Sequence, residues 1–277
     1  MIGIKKLFTP VKSMDEDQAK SFIAKHEEGT YTLLDVRQPS EYEEAHIPGA
    51  TLIPLPKLHD SLNELDPKKP AIVYCAIGGR SRVAAQLLSG LDFKEVYNLK
   101  GGIKAWQGLK AEGPKELNLE LIRGDEAPAE IVLLAYGMET GLQTFYETMN
   151  QRSKDQELTT LFKKLADVEN SHKRMLFELN EKFGPGKELK TFEADVDQII
   201  MEGGFSMSEF MEKNVSFLHD VKDVIDLAMM LETQSLDLYL RFADKSTNAQ
   251  TKGVLFKIAE EEKAHLASLG HLLEKES

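Results

Sequence analysis

One cysteine in 277 residues, Cys75, has no partner for an internal disulfide, so a reducing cytoplasm is the expected compartment. No apolar run approaches the roughly 20 residues of a membrane span, and no membrane partner is expected. The opening Met1-Ile2-Gly3-Ile4-Lys5-Lys6 lacks the apolar stretch of a secretion signal. Excess positive charge is missing too. Residues 1–112 hold 15 Lys and Arg against 15 Asp and Glu, so the whole net charge of −12 falls in residues 113–277, where 19 face 31. That balance argues against a nucleic-acid partner.

What is present is globular: 42% of residues are hydrophobic and 29% charged, in a chain long enough for two domains. Residues 1–112 alternate strand and helix signals. Phe8 to Val11 reads as an extended start, and Ser13 with Glu16 as a capping box opening a helix to about Glu28. Thr30 to Val36, Ala71 to Tyr74 and Glu95 to Leu99 read as buried strands. A helix is expected over Ser81 to Leu91 and another around Trp106. This alternation implies an α/β parallel sheet with flanking helices. Gly108, Gly113, Pro114 and Gly124 interrupt the pattern, and 113–124 reads as a linker.

Residues 125–277 are helical almost throughout, with helices expected near 126–150, 154–182, 218–244 and 249–274. Asp125, Ser153 and Asn248 are the expected N-caps. The connection over 184–217 is long and contains Gly184-Pro185-Gly186 and Gly203-Gly204, with a helical stretch expected over Ala194 to Met201. Two hairpins joined by a long crossover make an all-α four-helix bundle of the ferritin type.

This half repeats itself. Glu139, Glu169 and His172 recur at an offset of 93 residues as Glu232, Glu262 and His265, and Ala135, Tyr146, Ala166 and Leu176 recur on the same offset. In an α-helix Glu-x-x-His places both side chains on one face. Leu134, Met138, Leu142, Leu231 and Leu236 surround the isolated glutamates, where unpaired carboxylates would cost several kcal/mol each. Two divalent cations offset that cost. Oxygen-rich ligation with one imidazole per metal suits iron or manganese, with zinc a competitor. Tyr146 and Tyr239 fit either hydrogen-bond donors to the ligands or packed core residues, and the methionines fit core filling.

In the first half, Cys75-Ala76-Ile77-Gly78-Gly79-Arg80 lies between a strand and a helix. Backbone N–H groups of such a loop surround the sulfur at the positive end of the helix dipole. With the Arg80 charge they lower the thiol pKa and yield a nucleophile. Asp35, Arg37 and His46 read as structural.

Residues 125–277 resemble the rubrerythrin branch of the ferritin-like family at the six repeated donors. The resemblance implies a di-iron centre held by Glu139, Glu169, His172, Glu232, Glu262 and His265, reacting with peroxide or dioxygen. Two features depart from that family. Ser235 stands where it carries a further glutamate, and one cysteine cannot build its four-cysteine iron site, so an external electron donor is expected.

Residues 5–110 resemble the rhodanese family through Leu33-Leu34-Asp35-Val36-Arg37, Glu41-Tyr42, His46-Ile47-Pro48-Gly49-Ala50 and Leu99 to Trp106. That resemblance implies a Cys75 persulfide fed by a small sulfane-sulfur donor and discharged to a thiol or other thiophilic acceptor. The loop N–H groups from Ala76 to Arg80 would stabilise its charge. Four residues separate Cys75 from Arg80, one fewer than in related phosphatase loops, which favours sulfur over phosphate.

The expectation is a sulfurtransferase fused to a di-iron bundle that consumes oxidants or oxidises sulfur species. The alternative is a non-catalytic protein that senses sulfur or iron, or stores metal. A homodimer through the long helices is expected.

Overall fold

The computed structural model describes residues 11–91, 93–183, 189–196 and 200–275. The expected extended start at Phe8 and the Gly184-Pro185-Gly186 turn lie outside them. The chain divides into two compact units between Leu117 and Asn118, within the stretch read as linker.

The first unit is a five-stranded sheet in the order β1-β5-β4-β2-β3, with every pairing parallel. The strands are β1 (Lys12–Met14), β2 (Thr32–Asp35), β3 (Thr51–Leu52), β4 (Ala71–Tyr74) and β5 (Val96–Leu99). The helices are α1 (Glu16–Lys25), α2 (Pro39–Glu44), α3 (Gly79–Ser89) and α4 (Gly102–Ala105). Strand β4 is buried along its whole length, as a central parallel strand covered on both faces must be. Its side chains alternate: Val73 joins Ala84, Ala85 and Leu88 of α3 on one face, while Ile72 and Tyr74 join Ala19 of α1 and Tyr42 of α2 on the other. Cys75 follows Val73 by two and falls on the α3 face.

Strands β1 and β3 and helix α2 are too short to leave a periodic signature. The cap of α1 is Asp15 rather than Ser13. Asp15 Oδ1 accepts from Gln18 N–H and Gln18 Oε1 accepts from Asp15 N–H, the reciprocal box displaced by two residues.

In the second unit α5 (Pro128–Arg152) pairs with α6 (Gln156–Glu181), and α9 (Val221–Lys245) pairs with α10 (Ala249–Lys275). The hairpins join where α10 packs on α5 and α6 on α9, giving the ferritin-like bundle. Asn248 caps α10, accepting from Gln250 and Thr251. The other two expected caps are displaced. Pro128 fixes the first turn of α5, so that helix begins after Ala127 rather than Asp125. Asp155 takes the N-cap of α6 with two accepted N–H bonds, and Ser153 ends α5 instead. The crossover carries α7 (Leu189–Ala194) and α8 (Met207–Asn214). Of the span Ala194 to Met201 expected to be helical, Ala194 ends α7 and Asp195, Val196, Ile200 and Met201 are not helical, while residues 197–199 lie outside the described residues.

No helix of the described residues is long and apolar enough to cross a membrane.

Candidate active-site loop and metal centre

Cys75 ends the buried strand β4, and its sulfur faces the start of α3. Gly78 N–H donates to Sγ at 3.2 Å. The Ser81 hydroxyl lies 3.4 Å from Sγ and 2.6 Å from Asn98 Oδ1. Burial opposes the thiolate, but hydrogen bonds from the Ser81 hydroxyl and from the N–H groups of Ser81, Ile77 and Gly78 outweigh it and lower the thiol pKa. Gly78 takes φ of 95° to turn the loop into the helix, a conformation glycine adopts without strain. Helix α4 clamps the other side: Ile103 and Lys104 N–H donate to the Cys75 and Ala76 carbonyls at 2.9 and 3.1 Å. Gly102 has φ of 58°, and a Cβ there would collide with the Cys75 carbonyl. The Gly101-Gly102 pair thus permits the close approach that fixes the loop.

Arg80 lies close enough to Cys75 for the two to interact, and its main partner is Glu41. Its guanidinium forms a bidentate pair with Glu41, both contacts 2.6 Å, and that pair holds the Glu41 carboxyl at about 2. Ala76 and Gly78 are half-buried and Gly79 is exposed. Ile77 presents 67% of its surface to solvent at the loop tip. Asp35 and Arg37 form a buried multidentate pair, with Arg37 also donating to the Ala45 carbonyl at 2.7 Å. His46 is buried and stacks on Tyr42 at 3.6 Å. Sequence reading singled out neither Ser81 nor Asn98. The only signal was a serine in the first helical turn, one residue after Arg80.

In the bundle all six repeated donors are buried or nearly so. They fall into two sets, Glu139 with Glu169 and His172, and Glu232 with Glu262 and His265, each with its ligand atoms within 4.8 Å. His172 Nδ1 lies 2.8 Å from Glu169 and 3.3 Å from Glu139. His265 Nδ1 lies 3.5 Å from Glu232 and 3.6 Å from Glu262. The two imidazoles stack with centroids 3.3 Å apart, so the sets adjoin. Burial pushes the Glu139 and Glu262 carboxyls up, and neighbouring carboxylates add to the shift.

The donors fit a metal pair. Glu232 and Glu262 each keep a buried oxygen with no hydrogen-bond partner, and His265 Nδ1 has none either. Such orphaned groups cost several kcal/mol apiece unless a cation meets them. Tyr146 Oη has no partner either, and Tyr239 Oη lies 3.5 Å from Met138 Sδ, so neither hydroxyl bonds a carboxylate. A third acidic set joins Glu139 and Glu262 to Glu202 of the crossover. Glu202 has no counterpart in the repeat, and its only sequence signal is the Gly203-Gly204 turn beside it.

A parallel α/β unit with a cysteine loop, followed by a helical bundle with paired Glu/His sets, defines a two-part protein. Residues 18–109 match the rhodanese-like domain and residues 130–273 match rubrerythrin. The second match spans more than half of the chain, and the chain belongs to the rubrerythrin family, with a rhodanese-like domain preceding the bundle. It is 41% identical over 98 residues to the uncharacterized protein YqhL of Bacillus subtilis, covering 35% of this chain and 74% of that one. It is 41% identical over 75 residues to the thiosulfate sulfurtransferase GlpE of Coxiella burnetii, covering 27% of this chain and 70% of that one. The crystal structure of a rhodanese-like domain protein from Staphylococcus aureus is 29% identical, covers 35% of this chain and 91% of its own, and aligns with a TM-score of 0.33.

Proposed function

We propose that the chain is a sulfurtransferase working through Cys75, joined to a di-iron bundle that removes oxidants. The observation that carries the first part is the sulfur's set of donors: Gly78 N–H and the Ser81 hydroxyl converge on Sγ and lower its pKa. The Cys75 thiolate attacks the outer sulfur of a sulfane donor such as thiosulfate. The donor's S–S bond breaks, sulfite leaves with its electron pair, and Cys75 becomes a persulfide. A thiolate or cyanide acceptor then takes the outer sulfur, returning the electron pair to Cys75. The same N–H groups stabilise the terminal persulfide charge, and Glu41 holds Arg80 at the mouth of the loop. The likeness to a thiosulfate sulfurtransferase supports this reading. Thiocyanate formation from thiosulfate and cyanide tests it. The wild type should turn over and Cys75→Ser should not; turnover surviving in Cys75→Ser would refute the mechanism.

For the bundle, Glu139, Glu169 and His172 would hold one iron and Glu232, Glu262 and His265 the other, with manganese and zinc as competitors. Iron bound there would supply electrons for reducing peroxide or dioxygen, replenished by an external donor. The chain's own contribution is the donor geometry and a dry surround: Ala135, Met138, Leu142, Ala228 and Leu231 are fully buried beside the ligands. Peroxide carries cysteine up the oxidation ladder beyond recovery. Oxidant removal by the same chain would therefore preserve Cys75, which gives the fusion a chemical purpose.

A further inference from the structure

The crossover delivers a carboxylate to the bundle interior from outside the four long helices. Glu202 sits in a tight turn closed by Met201 N–H on the Phe205 carbonyl at 2.9 Å and Gly204 N–H on the Met201 carbonyl at 3.0 Å. Gly203 and Gly204 take φ of 70° and 80°, which is glycine's territory. The Glu202 side chain is 1% exposed, and neither oxygen has a hydrogen-bond partner, although Ser235 and Glu139 lie beside it. One oxygen each from Glu139, Glu202 and Glu262 lie within 4.8 Å of one another.

Several stretches of the chain are shaped to admit this turn. Gly141, two residues after Glu139 on α5, leaves room for it: a Cβ there would collide with the Ile200 carbonyl. Ser235, three residues after Glu232 on α9, accepts the Gly203 N–H at 2.8 Å. Asn118 Nδ2 donates to the Gly203 carbonyl at 2.7 Å. A larger residue at Gly141 would push the turn outward.

The seating has a charge consequence. Glu202 faces Glu139, Glu169, Glu232 and Glu262, one from each long helix. A fifth buried carboxylate among four raises the electrostatic cost of the interior unless cations meet it. Glu139 belongs to one donor set and Glu262 to the other, so Glu202 reaches both.

We propose that Glu202 is a seventh ligand of the metal centre, supplied by the crossover, and that metal binding fastens the Met201–Phe205 turn onto the bundle. This rests on the metal-binding reading above. Ser235, the position where the resemblance implied a further glutamate, instead anchors the turn that brings Glu202 in.

The test is Mn²⁺ titration of the full-length wild type and of Glu202→Gln, with hydrogen exchange and melting temperature followed before and after metal. Glutamine keeps the size of the side chain and removes a buried charge, so the metal-free variant should melt at or above the metal-free wild type. It should bind Mn²⁺ roughly 10- to 100-fold more weakly. Metal should slow exchange over 200–205 in the wild type but not in the variant, while α5 and α6 gain protection in both. Glu202→Ala should lose the same affinity and the same metal-induced protection of the turn, whatever the cavity does to its melting temperature. Unaltered affinity together with unaltered metal-induced protection of the turn would overturn the Glu202 assignment alone. A wild type that binds no metal would overturn the metal centre as well.

Discussion

At the residue scale, each candidate centre is governed by a group that stabilises another. Ser81 has one hydroxyl proton to share between Asn98 and Sγ, and hydrogen bonds to charged acceptors contribute about 1.5–3 kcal/mol. Ser81→Ala is therefore expected to raise the Cys75 pKa, moving the pH profile of iodoacetamide alkylation upward. An unmoved profile would leave the backbone N–H groups as the thiol's sole support. In the wild type, sulfurtransfer should rise with pH through the depressed thiol ionisation and then level off. Glu41, held at about 2, keeps its Arg80 pair ionised throughout, so one ionisation should describe the acid limb. The sequence disclosed Cys75 through its strand–loop–helix setting, and the six donors through an offset repeated too often for chance. Glu202, Ser81 and the Glu41–Arg80 pair were hidden for a common reason: each role depends on a neighbour distant in the chain or on a turn that local pattern does not encode.

At the element scale, long helices declared themselves because an apolar stripe sustained over 25 residues has one structural solution. Their ends were less legible. Several polar residues near each start can serve as cap, and a Pro at the first helical position or a carboxylate one or two residues on decides among them. Asp155 is such a deciding residue, since it satisfies two orphan N–H groups of α6. Asp155→Ala should cost about 1 kcal/mol, read as a lower urea midpoint at unchanged slope. Gly141 makes a sharper case. Alanine normally strengthens a helix interior, by about 1 kcal/mol relative to glycine. Here its Cβ would meet the Ile200 carbonyl, and overpacking costs about 1–3 kcal/mol. Gly141→Ala is thus expected to destabilise the bundle and speed exchange over 200–205; a higher melting temperature would show that the turn gives way freely.

At the scale of the whole molecule, two units with separate cores carry the two candidate centres, and the acidity of residues 113–277 has a local counterpart in the carboxylates buried among α5, α6, α9, α10 and the crossover. Ligands that bind only the folded state stabilise it by mass action. Ferrous iron should accordingly raise the melting transition of the bundle, and chelation should lower it, while the transition of the α/β unit stays in place. Under peroxide, ferrous-loaded protein should keep its Cys75 thiol alkylatable longer than metal-free protein. Equal rates of thiol loss would separate oxidant removal from sulfur transfer. The measurement closest to the central claim is the metal content of purified protein after anaerobic iron loading, set against the Glu139→Ala/Glu232→Ala double variant. About two irons per chain in the wild type, lost in the variant, is the predicted result. An iron-free wild type would contradict the account, leaving the buried carboxylates without the cations that explain their burial.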